Sequence, residues 1–232
     1  HTTSDGDMHV VELASGKRTK LSEHTGATLS HSGRYLAVST NVDGSTGLQL
    51  FDTTTNTEVS LPDMPSGEIR NLRLSKSDAR MAFYLNGDRQ PSDLYVLEFG
   101  REPKALTRSL NPDIDAADLV DSSVVRFASF DGMQIPNILW KPHQATAQAR
   151  APALVYVHGG PGGQTTRAFA MVQQYLANHG YVVLGINNRG SSGYGKTFFA
   201  ADDGKHGREP LWDVIAAKEY LQSLDYVDAD RI

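Results

Sequence analysis

The chain has 232 residues, of which 39% are hydrophobic and 21% charged, with a net charge of -5 and no cysteine. That balance is ordinary for a folded protein of one large or two smaller domains, and it excludes disulfides and thiolate metal ligands. No basic stripe is present, which argues against a nucleic-acid partner, and apolar runs such as Ala153–Val157 and Tyr181–Leu184 are far too short to span a bilayer.

From residue 1 to about residue 108 the pattern is one of short alternating strands separated by turn residues. Met8-His9-Val10-Val11-Glu12-Leu13 precedes Ser15-Gly16, Leu48-Gln49-Leu50-Phe51 precedes Thr54-Thr55-Asn56, and Leu94-Tyr95-Val96-Leu97 precedes Gly100. A longer phrase recurs: Leu29-Ser30-His31-Ser32-Gly33-Arg34-Tyr35-Leu36-Ala37-Val38 is echoed by Leu74-Ser75-Lys76-Ser77-Asp78-Ala79-Arg80-Met81-Ala82-Phe83. The offset of about 40–46 residues is the period of a four-stranded propeller blade. A β-sandwich with accidental similarity is the alternative. Two to three such units are expected here, fewer than the four or more of a closed propeller.

Residues 111–121 read as a linker, with Asn111-Pro112-Asp113 as a turn signal and Asp113, Asp115, Asp118 and Asp121 as a solvated acidic connector in preference to a metal site. His9, His24 and His31 have no ligand spacing and are taken as surface or turn residues.

From Ser122 the pattern changes. Val124–Phe130 and Ile135–Trp140 are strand-like around Asp131-Gly132, a hairpin signal. Ala153–Val157 is an apolar run suited to a central parallel strand, and it leads into His158-Gly159-Gly160-Pro161-Gly162-Gly163-Gln164. A helix is expected over 166–179 with Phe169, Val172 and Leu176 on one face and Gly180 as its stop. Tyr181–Ile186 is the next strand. Pro210 opens a helix to about Leu224 whose apolar side is Leu211, Val214, Ile215, Leu221 and Leu224. Strand, helix, strand, helix implies an α/β domain. The division is therefore 1–121, a partial β-propeller plus linker, and 122–232, an α/β domain with a mostly parallel sheet.

Bare glycine amides after a buried strand can face an anionic oxygen, as the oxyanion loop of α/β-hydrolases does. Gly190-Ser191-Ser192-Gly193-Tyr194-Gly195-Lys196-Thr197 also fits the phosphate-loop pattern in full. A phosphate loop needs a helix starting at the Lys-Thr, whereas this one is broken early by Gly204, Gly207 and Pro210, so the segment reads as a turn shaping one wall of the site. Arg189 anchors that loop through a buried ion pair in this reading. Asp213, placed in a first helical turn, is a candidate partner, and His158 packs under the glycine turn and is not a base.

Ser129-Phe130-Asp131-Gly132 with Ile135-Pro136, His158-Gly159-Gly160-Pro161, Asn188-Arg189-Gly190-Ser191-Ser192-Gly193-Tyr194-Gly195 and Trp212-Asp213-Val214 together resemble the prolyl oligopeptidase family of serine peptidases. The nearest likeness is to its acylaminoacyl-peptidase and dipeptidyl-peptidase-like branch. The resemblance implies that 1–121 are C-terminal blades of a β-propeller plus linker and 122–232 the N-terminal part of an α/β-hydrolase domain, with backbone oxyanion donors at Gly160 and Gly159 and short peptide substrates admitted past the propeller; no cofactor or metal is expected. It also implies a nucleophile in a Gly-x-Ser-x-Gly elbow followed by an acid and a histidine. No such elbow occurs in the 232 residues: Ser192 has Gly190 before it but Tyr194 after it. The expectation is a piece of a longer peptidase, inactive and poorly soluble by itself. An interaction module with a degenerate hydrolase, or an esterase on the same scaffold, are the alternatives.

Overall fold

A computed structural model describes residues 8–11, 14–22, 25–160 and 162–232. His24, Glu12, Leu13 and Pro161, named above, lie outside these residues, and the side chain of His9 is likewise not described. The chain divides into two compact units, His1–Ser109 and Leu110–Ile232.

In the first unit, β1 (Met8–Val11) and β2 (Arg18–Ser22) form a two-stranded antiparallel sheet. A four-stranded antiparallel sheet follows, built from β3 (Thr25–Leu29), β4 (Tyr35–Val42), β5 (Ser45–Asp52) and β6 (Thr57–Val59) in sequence order. Another contains β7 (Glu68–Leu74), β8 (Arg80–Gly87), β9 (Gln90–Glu98) and β10 (Lys104–Ala105), again in sequence order. Ala37 and Leu50 of one sheet share a buried cluster with Ile69, Met81, Phe83, Leu85, Tyr95 and Leu97 of the other. Alternation explains the register: in β8 every second residue from Met81 to Gly87 is buried.

The repeated phrase is repeated atom by atom. Ser30 N donates to Tyr35 O at 2.8 Å and Tyr35 N to Ser30 Oγ at 3.1 Å, while Ser75 N donates to Arg80 O at 2.9 Å and Arg80 N to Ser75 Oγ at 3.2 Å. The left-handed position of each turn is Gly33 (φ 79°) or Asp78 (φ 56°), residue types that tolerate it. A hydrogen bond from Ser32 Oγ to the Asp78 carboxylate joins the two turns. Among the described residues there is no closed propeller or barrel.

In the second unit, β11 (Ser122–Ala128) and β12 (Gln134–Trp140) form a hairpin through Gly132, φ 85°. Further along come β13 (Ala153–Val157), α1 (Met171–Asn178), β14 (Val182–Ile186), α2 (Lys196–Phe199) and α3 (Glu209–Gln222), with a 3-10 turn at Ala200–Asp202. The sheet order is β11-β12-β14-β13. Only β13–β14 is parallel among its pairings, so the described part of the sheet is more antiparallel than the sequence suggests.

The sheet separates two apolar layers. Ile135, Leu139, Val182, Leu184 and Ile186 pack with Ala217 and Leu221 of α3, while Ile138, Trp140 and Val183 pack with Ala177 of α1. Both faces of β14 are thus covered, which accounts for its unbroken apolar sequence, and each wholly buried Leu or Ile contributes about 1.5–3 kcal/mol. Gly185 is the gap in that strand: a Cβ there would sit 2.6 Å from Thr165 Cγ2 and 3.0 Å from a Trp140 ring carbon.

Several expected elements differ. Among the described residues Ala153–Val157 is the last strand of its sheet, with Ala153 N donating to Arg231 O at 3.0 Å on the other side and Tyr156 and Val157 exposed at 39% and 49%. The helix expected from 166 begins at Met171, with Ala170 extended at its N-cap and both backbone groups of Thr165 bonded to the Asn187 side chain. Its buried face is Gln173, Gln174 and Ala177, and Val172 is exposed. Gln174 behaves as a strand neighbour to the connector: its Oε1 accepts from Val120 N at 3.0 Å and its Nε2 donates to Val120 O at 2.8 Å. The residues expected as a linker from 111 accordingly fall within the second compact unit. In α3, Leu211 and Ile215 are exposed, whereas Asp213 is buried on the sheet side.

Candidate functional site

The candidate site sits where β13 and β14 release the chain at the same end of their parallel pair, the usual location of ligands in α/β sheets. After β13 comes the glycine turn. Gly160 has φ 130°, and a Cβ there would meet Gly163 N at 2.9 Å and Gly162 N at 3.2 Å, so glycine is required on both conformational and steric grounds. Gly159 and Gly160 are exposed, and their amides donate no hydrogen bond to any described residue. Gly163 closes the turn: a Cβ there would lie 2.6 Å from Gly159 O and 2.9 Å from His158 Nδ1.

The loop after β14 holds this turn in place. Asn187, wholly buried, accepts from Thr165 N at 2.6 Å and donates to Thr165 O at 3.0 Å. Ser192 N donates to Gly163 O at 3.0 Å. His158 Nε2 lies 2.9 Å from Ser191 Oγ, and Ser191 Oγ donates to Asn188 O at 2.6 Å. His158 Nδ1 lies 3.1 Å from Gly159 O, so the ring ties the glycine turn to Ser191. His158 therefore braces the turn from below.

A buried ionic hub carries the loop in turn. Asp213 accepts from Arg189 N at 2.9 Å, from Arg189 Nε at 2.9 Å and from the guanidinium terminus at 2.8 Å, and Ser129 Oγ donates to it at 2.6 Å. Asp131 takes the other edge of the guanidinium at 2.9 and 3.0 Å. Phe130 covers the guanidinium face at 4.7 Å and meets Trp212 edge-on at 4.8 Å. Burial alone would make the Arg189 cation less stable. Hydrogen bonds from Asp213 and Asp131 outweigh that and raise its pKa above the ordinary arginine value. The same guanidinium holds the Asp131 carboxyl below its usual range. Asp213 lies beyond the first turn of α3, where Glu209 is the acidic residue.

The segment that fits a phosphate-loop pattern leads into α2, a helix of 4 residues. The Asp202 carboxyl packs against Gly190, its carbon 2.3 Å from where a Cβ would be. A carboxylate in that position disfavours an anion there. Among the described residues there is no group of three or more His, Asp or Glu side chains placed to hold a metal. No helix among them is long and apolar enough to cross a membrane.

The sequence reading named His158, Gly159, Gly160, Arg189 and Asp213, and the structure gathers them around one loop pair. It left unnamed as site residues Asn187, Ser191, Thr165, Ser129 and Asp131, whose contacts with that group bridge separations of 22–84 residues. The Ser129-Phe130-Asp131-Gly132 phrase pointed towards Ser129 and Asp131, and the Asn188–Gly195 phrase towards Ser191.

Residues 167–232 match the model of the prolyl oligopeptidase family, peptidase S9. That match takes in the Arg189 loop and α3. The chain is related to the prolyl oligopeptidase family of serine peptidases. Relatives include an uncharacterized peptidase, YuxL, of Bacillus subtilis, 28% identical over 71% of this chain and 25% of its own length. Dipeptidyl aminopeptidase BIII of Pseudoxanthomonas mexicana is 31% identical over 60% of this chain and 21% of its own length. The chain thus spans about a quarter of the curated relatives it matches. Among solved structures, a puromycin-hydrolyzing peptidase of Mycobacterium tuberculosis superposes with a TM-score of 0.83 at 22% identity, over 97% of this chain and 36% of that one. The acylaminoacyl peptidase of Pyrococcus horikoshii, another with this fold, gives 0.69 at 22% identity over 92% and 34%. The chain has the fold of these solved structures.

Proposed function

We propose that these residues form the oxyanion side of a serine peptidase that hydrolyses short peptides through an acyl-enzyme, within the acylaminoacyl- and dipeptidyl-peptidase-like branch. Gly160, with Gly159 beside it, supplies backbone N–H donors to the oxygen that becomes negative as the carbonyl is attacked. His158, Arg189 and Asp213 position that turn and do not touch the reacting atoms. The nucleophile, base and orienting acid belong to residues outside these 232, so the chain given is inactive as a peptidase. The sheets β3–β6 and β7–β10 are blades of a propeller that limits which peptides reach the site. A single observation carries the reading: the exposed amides of Gly159 and Gly160, at the end of a parallel strand, donate to no described residue, and Gly160 holds a conformation that favours glycine.

Labelling with a serine-directed fluorophosphonate tests it. The intact protein is expected to be labelled at a serine outside this sequence, and the 232-residue chain is expected to remain unlabelled. In the intact protein Gly160→Ala displaces a donor and lowers kcat/KM for a peptide amide by about 100- to 1000-fold. Labelling at Ser191 or Ser192, or an intact protein that does not react, would overturn the assignment.

A further inference from the structure

The segment after the Arg189 loop places two adjacent phenylalanines in opposite environments. Phe198 turns inward: it packs against the α3-side core and meets the Tyr194 ring edge-on at 5.5 Å. Phe199 turns outward and remains 48% exposed. Both are fixed by backbone bonds, Gly190 N to Phe198 O at 3.0 Å and Phe199 N to Gly195 O at 3.0 Å. The Phe199 ring lies directly on the glycine turn. A Cβ on Gly162 would be 2.7 Å from Phe199 Cε2 and 3.1 Å from Cζ, so the absence of a side chain at Gly162 is what lets the ring close in. Phe130, the other exposed phenylalanine of this unit, is covered by Trp212 and Arg189, whereas Phe199 has no aromatic or cationic partner among the described residues.

We propose that Phe199 is a specificity-determining residue: its exposed face receives an apolar side chain of the peptide next to the scissile bond. This rests on the oxyanion reading of Gly159 and Gly160, and it adds a substrate class, peptides with a large apolar residue at that position. The ring touches the turn two residues beyond Gly160, so a carbonyl oxygen held by the glycine amides brings its own flanking side chains to the phenyl face. A preformed ring held by backbone bonds offers that surface at little ordering cost.

The test uses the intact protein and matched peptide p-nitroanilides that differ only in Phe or Ala before the scissile bond. The unaltered enzyme is expected to prefer Phe, and Phe199→Ala is expected to lower the Phe-to-Ala ratio of kcat/KM by roughly tenfold or more, with Phe199→Leu retaining most of it. A ratio unchanged by Phe199→Ala, or activity lost equally on both substrates, overturns the proposal while leaving the peptidase reading intact. An intact protein that neither reacts with a fluorophosphonate nor cleaves either peptide removes the peptidase reading, and this proposal with it.

Discussion

Arg189 and Asp213 form a buried ion pair in the second unit. Their side chains are 3% and 0% exposed, and each satisfies the other's charge together with a backbone amide and the Ser129 hydroxyl. Asp131 completes the guanidinium from a site that is 38% exposed. The physics of the two carboxylates differs accordingly. Asp213→Ala leaves a cation buried against one remaining partner, and a loss of about 3–5 kcal/mol is expected. Asp131→Ala removes a solvent-screened contact and is expected to cost less than about 1 kcal/mol. Urea denaturation of both variants checks this, and equal costs would contradict it. At this scale the sequence was legible where a motif has fixed internal spacing, as in His158-Gly159-Gly160. It was illegible where a partner arrives from a distant strand: nothing in Ser129 itself announces a bond to Asp213, 84 residues away.

Turns and strands of the first unit were more readable, because the signal repeats. The Ser30 and Ser75 turns have the same bonding pattern since each serine can bond both to its neighbour hydroxyl and to the strand five residues on. The helices were less readable. Their apolar positions led to a face that in α1 is taken by Gln173 and Gln174, and in α3 by Asp213, since buried polar groups with matched partners compete with apolar ones for the inside. A pH dependence belongs to this level. Asp52, at the end of β5, is lowered from the ordinary aspartate value to about 2, first by the Thr54 hydroxyl and next by Arg34. A carboxyl depressed by folding contributes stability at pH above its unfolded value, near ~3.9, and that contribution is lost as pH falls towards about 2. Asp52→Asn is therefore expected to melt lower than the unaltered chain at pH 6 and to show a smaller further loss between pH 4 and pH 2. Parallel melting curves across that window, followed by circular dichroism, would show that the turn does not sense the carboxylate.

For the molecule as a whole, the decisive feature is β13. Its sequence, Ala153-Leu154-Val155-Tyr156-Val157, is that of a strand flanked on both sides, yet among the described residues it pairs only with β14. Sequence reasoning took the apolar run as central because composition reports what a strand buries and says nothing of which neighbour supplies the cover. Ala153 N donates to Arg231 O at 3.0 Å, so the start of the other edge is occupied by the C-terminal segment, while an uncharged strand without proline whose remaining edge has no strand partner among the described residues is a template for another chain. The 232-residue chain is expected to self-associate through this edge at micromolar concentration, although its net charge of -5 opposes association. Lysines at the two exposed positions should block the pairing without entering the core, because Tyr156 and Val157 have 39% and 49% of their surface in solvent. Sedimentation velocity of the chain and of the Tyr156→Lys, Val157→Lys double variant decides the matter: the unaltered chain should form larger species and the variant should move towards monomer. If the unaltered chain is monomeric, or if the variant associates equally, then the β13 edge is not the surface through which this protein seeks a neighbour.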